Sequence, residues 1–325
     1  MDNAGTNDRY DVVVVGGGAA GLGGALSLSR ARRSVLVIDS GTQRNAPAAH
    51  MHNYLGREGA APAQLIRIGR GEVAAYGTEF LDGEVVDARP AEGGFTVTLG
   101  DGRSVSARQI LVTSGLVDEL PDVPGLRERW GRDVLHCPYC HGWEVRDTAI
   151  GVLATSTVAV HQALMWRQWS DDVVVFAHTA PAFAADDLEK FAAMGIEVVD
   201  GAVAGLEVAD DRLTGVRLAT GETVAREALV VPPRFTARAG FLAGLGLDPV
   251  QQEMGGEVIG NHIAAGPTGA TDVAGVWAAG NVTDPRAQVI SAASAGVFVG
   301  SMINSALIEE DVAAAVADRR ASRVG

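Results

Sequence analysis

The sequence has almost no cysteine. Cys137 and Cys140 are the whole complement among 325 residues, and they stand together in HCPYCHGWE, residues 136 to 144. That scarcity excludes most of what cysteine does. A tetrahedral zinc site needs two further Cys or His ligands, commonly a second paired motif, and no second CxxC exists. His136 and His141 flank the pair too closely to take the remaining corners. Basic charge is short as well: 26 Lys and Arg against 40 Asp and Glu leave a net charge of -14, which disfavours nucleic acid and anionic membrane as partners. No apolar run is expected to reach the length of a membrane span, and MDNAGTNDRYD lacks the basic and apolar regions of a signal peptide. The expectation is a cytoplasmic chain, where a stable structural disulfide is uncommon. Redox chemistry is the leading reading of the cysteine pair, ahead of a structural staple or half a zinc site.

What is present points to nucleotide binding. At 325 residues and 47% hydrophobic content, the chain is expected to form two domains, or one domain inserted into another. YDVVVVGGGAAGLGGALSLSRARRSVLVIDS, residues 10 to 40, reads as strand, tight glycine turn, helix and second strand. The run Val12 to Val15 suits a central parallel strand buried on both faces. Gly16, Gly18 and Gly21 follow at GxGxxG spacing: the first allows the turn, the second lets a pyrophosphate approach, the third lets helix pack on strand. The helix N-terminus offers free N–H groups to phosphate, and Asp39 closes the second strand where a carboxylate can accept hydrogen bonds from a ribose. ILVTSGLVDELPDVPG, residues 110 to 125, reads as a buried strand running into a crossing segment. Residues 273 to 296 read as a short strand ending at Gly280-Asn281, then a loop, then a small-residue helix. The spacing predicts a nucleotide-binding domain split by an insertion.

With CPYC between those halves, the chain resembles the low-molecular-weight thioredoxin reductase family of flavoproteins, over nearly its whole length. GGGAAG with Asp39 looks like that family's FAD fingerprint, VTSG like its ATG strand, AAGNVTD like its C-terminal flavin motif, and CPYCHG like its redox centre. The resemblance implies an α/β fold of two Rossmann-like, three-layer ββα nucleotide-binding domains, the second inserted into the first. Its boundaries are expected at residues 1–118 and 245–325 for the FAD-binding domain and 119–244 for the insertion carrying the CxxC. It implies FAD held by Gly16, Gly18, Ala19, Ala20, Gly21, Asp39, Ser40, Gly115, Gly280, Asn281, Gln288 and Val289, and a homodimer. Asn281 departs from the family's Asp, but an amide still hydrogen-bonds a hydroxyl.

Two departures set the expected function. The inserted domain's own glycine turn, within TAIGVLATSTVAVHQAL (residues 148 to 164), reads Ala154-x-Ser156-x-x-Ala159, with a Cβ where the pyrophosphate would approach. The following strand, DDVVVFAH, leads to His178, Thr179 and Ala180, where the family's arginine pair for the 2'-phosphate of NADPH is missing. The nicotinamide site is therefore expected to be degraded. His141 stands where these reductases carry Asp, and C-x-x-C-H-G followed by an aromatic and Glu144 is similar to the branch of dithiol oxidases that act on gliotoxin-like and holomycin-like dithiols.

That branch implies oxidation of a small-molecule dithiol to a disulfide with O2 as acceptor and no metal. His141 helps a substrate thiol attack Cys137, and Cys140 faces the flavin. The cysteine thiolate is expected to be stabilised at a helix start beside an imidazolium. The alternative is a thioredoxin reductase-like disulfide reductase, with a thioredoxin-like protein as partner and NADPH or another donor. Around the site, His50, His52 and Asn53 lie in a loop that the family passes near the flavin, where a histidine reads more often as a satisfied loop residue than as one that positions substrate or proton. Trp143 reads as pocket wall or core, Trp166 and Trp169 as core or interface on one helix, and RERWGRD (127 to 133) as solvated surface. His161 and His262 have no assigned partner.

Overall fold

The computed structural model describes residues 9–323 as two lobes that repeat one layering. The first lobe is a seven-stranded sheet in the order Glu79–Asp82, Val35–Asp39, Arg9–Val15, Ser104–Val112, Gly94–Leu99, Val85–Ala91, with Val276–Ala278 also paired to Ser104–Val112. The first four strands and Val276–Ala278 run parallel. The remaining two form an antiparallel meander. Burial follows composition. Val35–Asp39 is buried at every residue, as a parallel strand covered on both faces must be. Gly94–Leu99 buries alternate residues, the signature of a strand with one wet face. The second lobe has five parallel strands, Glu197–Val199, Val173–Phe176, Ile150–Leu153, Ala228–Val230 and Val134–Leu135. It carries its own meander, Val203–Ala209, Arg212–Leu218 and Thr223–Val224.

The chain passes between lobes on two strands that pair antiparallel, Leu116–Glu119 outward and Arg234–Ala237 on return. A hairpin, Val250–Met254 and Glu257–His262, completes this four-stranded sheet. Ala237, Phe241, Leu242 and Leu245 are buried in the first lobe's core. We therefore propose the return at Arg234–Ala237, ahead of the boundary after residue 244 expected from the sequence.

Two helices close the back of the first sheet. Ala19–Arg30 follows the glycine turn, and Val289–Ala321 packs across it. The contact is backbone on backbone. A Cβ added at Gly296 would lie 1.9 Å from the Ala20 carbonyl oxygen, and one at Gly300 2.7 Å from that of Gly24. This helix corrects one expectation: by length and composition Val289–Ala321 is apolar enough to cross a membrane. Its small residues instead let it press on the glycine-turn helix, burying Ala292, Gly296, Val299, Gly300, Ile303 and Leu307. RERWGRD is corrected too. Arg129 and Asp133 are buried as an ion pair, Arg129 Nε donating to Asp133 Oδ1 at 2.8 Å, and Asp133 also accepts the N–H of Leu213 at 2.9 Å. A charged run reads as surface only until its partner is visible.

The helix contact makes a direct expectation. Gly296→Ala forces the two backbones apart and should lower unfolding free energy by about 1–3 kcal/mol, the usual range for overpacking. Gly71→Ala, in the Pro62–Ala74 helix with no atom within 4 Å of its added methyl, should raise it by roughly 0.5–1 kcal/mol through helix propensity. Urea denaturation of both variants checks this, and equal effects would defeat the close-approach account.

Candidate redox site between the lobes

A single cavity of about 1280 Å³ runs from the glycine turn to the cysteine pair. Its first-lobe wall includes Gly16, Gly18, Ala19, Ala20, Asp39, Ser40 and Gly115. Asn281, Gln288 and Val289 join them from the C-terminal segment. Gly16 has φ +108°, and a Cβ there would meet the Thr113 carbonyl oxygen at 2.4 Å. Gly18 differs: nothing lies within 4 Å of its missing Cβ, so the backbone N–H groups at the helix start face open space. That is the cradle a pyrophosphate requires. Gly21 and Gly280 do not line the cavity but sit behind it, Gly21 against Gly16 and Gly280 against Ala20. Asp39 is buried at the strand end, where Gln43 Nε2 donates to it at 3.3 Å. Asn281 turns its amide nitrogen to the Ala287 carbonyl at 2.9 Å, so its amide orders the loop before Gln288. These residues fit a dinucleotide such as FAD.

The second-lobe wall carries the sulfur. Cys137 is the N-cap of the short helix Pro138–His141, and Cys137, Cys140 and His141 all reach the cavity. Gly142 seats this helix on Trp169: a Cβ there would meet the indole at 2.9 Å. Tyr139 packs its ring edge on the same indole, centroids 5.6 Å apart. Cys140 Sγ donates to Cys137 Sγ at 2.7 Å. That hydrogen bond, with the backbone N–H groups of Cys140 and Tyr139 and the charge of Arg44, brings the Cys137 thiol down to about 7 despite its burial. Cys140 is pushed up, first by its hydrogen bond to Cys137, then by burial and by the Cys137 thiolate charge, with Arg44 opposing.

Burial lowers His141, with His52 adding to the effect and Glu144 opposing it, so the imidazole is neutral near neutral pH. The expected imidazolium is therefore corrected: the Cys140 thiol and backbone amides stabilise the Cys137 thiolate, and His141 stands ready as a base. His136 is driven down to about 4 by burial and then by Arg44; its Nδ1 donates to the Val231 carbonyl at 3.3 Å.

The loop holding His50 to Asn53 is fastened to the redox helix. Asn53 Nδ2 donates to the Tyr139 carbonyl at 2.6 Å. His52 stands between two carboxylates, Nδ1 2.6 Å from Glu58 and Nε2 3.3 Å from Glu144. His50 bonds within its own loop, Nδ1 to the Gly59 carbonyl at 3.0 Å. Trp143 is neither pocket wall nor core: it is 66% exposed with Arg146 over its ring at 4.1 Å. Trp166 is fully buried, while Trp169 lies beyond the end of the Val158–Trp166 helix that the sequence placed it on. His161 lines the cavity, and His262 keeps a buried Nδ1 with no hydrogen-bond partner among the described residues.

Sequence reading missed Arg44. Its guanidinium forks onto Asp118 at 2.8 and 2.7 Å and lies 5.2 Å from the Phe235 ring centroid, joining the cradle loop to both crossing strands. A lone arginine soon after Asp39 was its only signal.

The turn ahead of the second lobe's Val158–Trp166 helix is occupied by its own side chains. Ser156 Oγ accepts the N–H of Val158 at 3.3 Å, taking an amide that a phosphate would use. Thr157 Oγ1 donates to Glu257 Oε1 at 3.0 Å, so a carboxylate from the hairpin occupies the helix start. His178, with φ +43°, spends Nδ1 accepting the N–H of Val203 at 3.0 Å.

Known proteins similar to this one agree with the geometry. A family model described as pyridine nucleotide-disulphide oxidoreductase matches residues 10–296. Thioredoxin reductase sirT of Leptosphaeria maculans is 30% identical, over 94% of this chain and 96% of that protein. The crystal structure of HlmI superposes with a TM-score of 0.90 at 49% identity, covering 99% of each chain. An oxidoreductase from Agrobacterium tumefaciens gives 0.86 at 34% identity, covering 92% of this chain and 99% of that one. With its cysteine pair and glycine cradle on one cavity, the chain belongs to the pyridine nucleotide-disulphide oxidoreductase family and is a thioredoxin reductase-like disulfide oxidoreductase.

Proposed function

We propose that this protein is an FAD-dependent dithiol oxidase that closes a small-molecule dithiol to its disulfide with O2 as acceptor. One observation carries the reading. The cysteine pair opens onto the cavity that holds the dinucleotide cradle, while the second lobe's nucleotide turn is filled by Ser156 and faced by Glu257. A carboxylate at that helix start repels a pyrophosphate, so electrons enter through sulfur.

FAD would be held by Gly16, Gly18, Ala19, Ala20, Asp39, Ser40, Gly115, Asn281, Gln288 and Val289, with Gly21 and Gly280 setting the backbone behind them. Bound there, FAD supplies a two-electron acceptor for the enzyme dithiol and a route to oxygen, which leaves as hydrogen peroxide. The chain's own residues perform the exchange. Neutral His141 takes the proton of a substrate thiol, and the thiolate attacks Cys137 of the Cys137–Cys140 disulfide, expelling Cys140. The second substrate thiol then attacks the mixed disulfide, releasing the product disulfide and leaving Cys137 as the thiolate, its better leaving form. Two substrate S–H bonds are lost, one product S–S bond forms and the enzyme pair is reduced. Ile290, Val297, Phe298 and Ile308 leave apolar surface on the C-terminal helix, which supports a homodimer.

The second reading is a thioredoxin reductase-like activity on a protein disulfide. Tyr139, 59% exposed beside the cysteines, and Leu55, 91% exposed on the loop fastened to them, favour a protein partner.

Anaerobic mixing separates the two. A dithiol such as dithiothreitol should bleach the flavin and micromolar NADPH should not; prompt bleaching by NADPH would end the oxidase reading. In air, oxygen uptake should equal the peroxide formed. The cysteines should also differ. Iodoacetamide should modify Cys137 of the reduced protein before Cys140, at a rate half-maximal near pH 7 and rising with pH as the thiolate forms, followed by peptide mass spectrometry. His141→Ala should slow dithiol-dependent flavin reduction on the order of 100-fold at pH 7, with partial recovery at higher pH as the substrate thiol ionises unaided. Recovery absent across that range would remove His141 from the base role.

A further inference from the structure

The loop between Val35–Asp39 and Pro62–Ala74 belongs to the first lobe, and the redox helix Pro138–His141 to the second. Two adjacent loop residues reach across to that helix. Asn53 Nδ2 donates to the Tyr139 carbonyl at 2.6 Å, and His52 Nε2 lies 3.3 Å from Glu144 Oε1, just past the helix end. In sequence the two attachment points stand on either side of Cys140. Pro47, earlier in the same segment, also meets the second lobe: a Cβ added at Gly131 would lie 3.0 Å from Pro47 Cβ.

Both arms depend on one carboxylate. Glu58 Oε1 lies 2.6 Å from His52 Nδ1, and Oε2 accepts the Asn53 N–H at 2.9 Å. A carboxylate only accepts, so both ring nitrogens of His52 carry hydrogen when Glu58 and Glu144 are engaged together. The second Glu58 bond fixes Asn53, whose φ of +61° is a left-handed conformation that Asn adopts more readily than most residues. The His52 hydrogen bond, with the Asn53 N–H adding and desolvation opposing, holds Glu58 below the usual carboxylate range. Glu58 is therefore ionised near neutral pH. Its side chain is 64% exposed and lies off the cavity wall, so it has no contact with the chemistry itself.

We propose that Glu58 is a positioning residue for the sulfur-to-flavin step: its two oxygens set His52 and Asn53 as a two-armed clamp that holds the CxxC helix against the first lobe, across the cavity from the dinucleotide cradle. The inference rests on the reading that FAD occupies that cradle and deepens it. The crossing strands join the lobes through the chain itself; the clamp joins them at the sulfur. Transfer from the enzyme dithiol spans the two lobes. Cys137 and Cys140 together lose two electrons and two protons and close their S–S bond, and the electrons reduce the flavin. Thiol–disulfide exchange at Cys137 needs only the second lobe and the substrate. The clamp therefore governs the first of these steps and leaves the second alone.

Anaerobic stopped-flow on the FAD-loaded protein separates them. Glu58→Ala should lower the limiting rate of flavin bleaching by saturating dithiothreitol about 10-fold, as when the aligned placement falls to a tenth of the population. The half-saturating dithiothreitol concentration should stay within about twofold, and so should the rate at which iodoacetamide modifies Cys137 of the reduced protein. Glu58→Gln, which keeps one accepting oxygen, should fall between parent and Glu58→Ala. Asn53→Gly keeps the left-handed backbone accessible and removes one arm; combined with Glu58→Ala it should cost no more than Glu58→Ala alone, because residues acting as one unit are not additive. An unchanged bleaching rate, equal slowing of bleaching and alkylation, or additive losses would each overturn the proposal. So would a fall in FAD content or melting temperature in Glu58→Ala, which would make Glu58 a support of the fold instead. The readout needs no oxygen, so it decides the clamp whatever the final acceptor is, whereas a parent protein that dithiothreitol never bleaches would overturn the FAD reading and the clamp with it.

Discussion

Arg44 holds the site together. It belongs to the loop after Asp39, yet its fork grips Asp118 on the outward crossing strand and its plane covers Phe235 on the return strand. Asp118 is 7% exposed and Arg44 26%, and losing one partner of such a shielded pair costs on the order of 3 kcal/mol. The geometric consequence is larger than the energy. Cradle and cysteines belong to different lobes, and neither has a use without the other across the same cavity. The same guanidinium also acts at a distance, lowering Cys137 and His136 in the second lobe. Lobe orientation and thiol chemistry thus share one cation.

The second lobe keeps the frame of a nucleotide turn while its own side chains fill the turn. Its strand, turn and helix remain, because the five-stranded sheet needs that helix to cover Ile150, Val152 and Val175 in the core. The turn is filled by its own side chains: Ser156 Oγ accepts the Val158 N–H, and Glu257 meets Thr157 from the other lobe's hairpin. The core face of the helix is under packing constraint. The opposite face carries no such constraint and borders the redox cavity.

How much of this was legible depends on the range of the interaction. The glycine spacing, the valine runs and the CxxC are local patterns, and Gly16, Gly18, Asp39, Cys137 and Cys140 are found together on one cavity. Ser156 and the missing arginine pair were legible for the same reason. Glu257 was not, because nothing in its neighbourhood points to Thr157 a hundred residues earlier. RERWGRD looks solvated until Leu213 and Asp211 arrive from the meander to bury Arg129 and Asp133. Trp169 reads as one more helical core residue, whereas it lies past the helix end and underlies Gly142. The C-terminal helix misleads in the opposite sense: its apolar composition matches a membrane span, while its Gly296 and Gly300 serve a contact with another helix that composition alone does not reveal.

The opposed titrations of the two sulfurs determine where protons must travel. With Cys137 near 7 and Cys140 raised, the reduced pair holds one proton on Cys140, shared toward the Cys137 thiolate. Cys137 is thus the better leaving group when product departs. Cys140 can act as a nucleophile only after surrendering that proton, and the acceptors beside it are the Cys137 thiolate and neutral His141. The charged form of His141 is disfavoured by burial, although Glu144 favours it, so any proton it takes is held weakly and passed on readily. His52, set between Glu144 and the exposed Glu58, adds to the lowering of that histidine. A site that alternates between a disulfide and a dithiol must move protons as well as electrons, and the opposed titrations of its two sulfurs decide which thiol gives up its proton first.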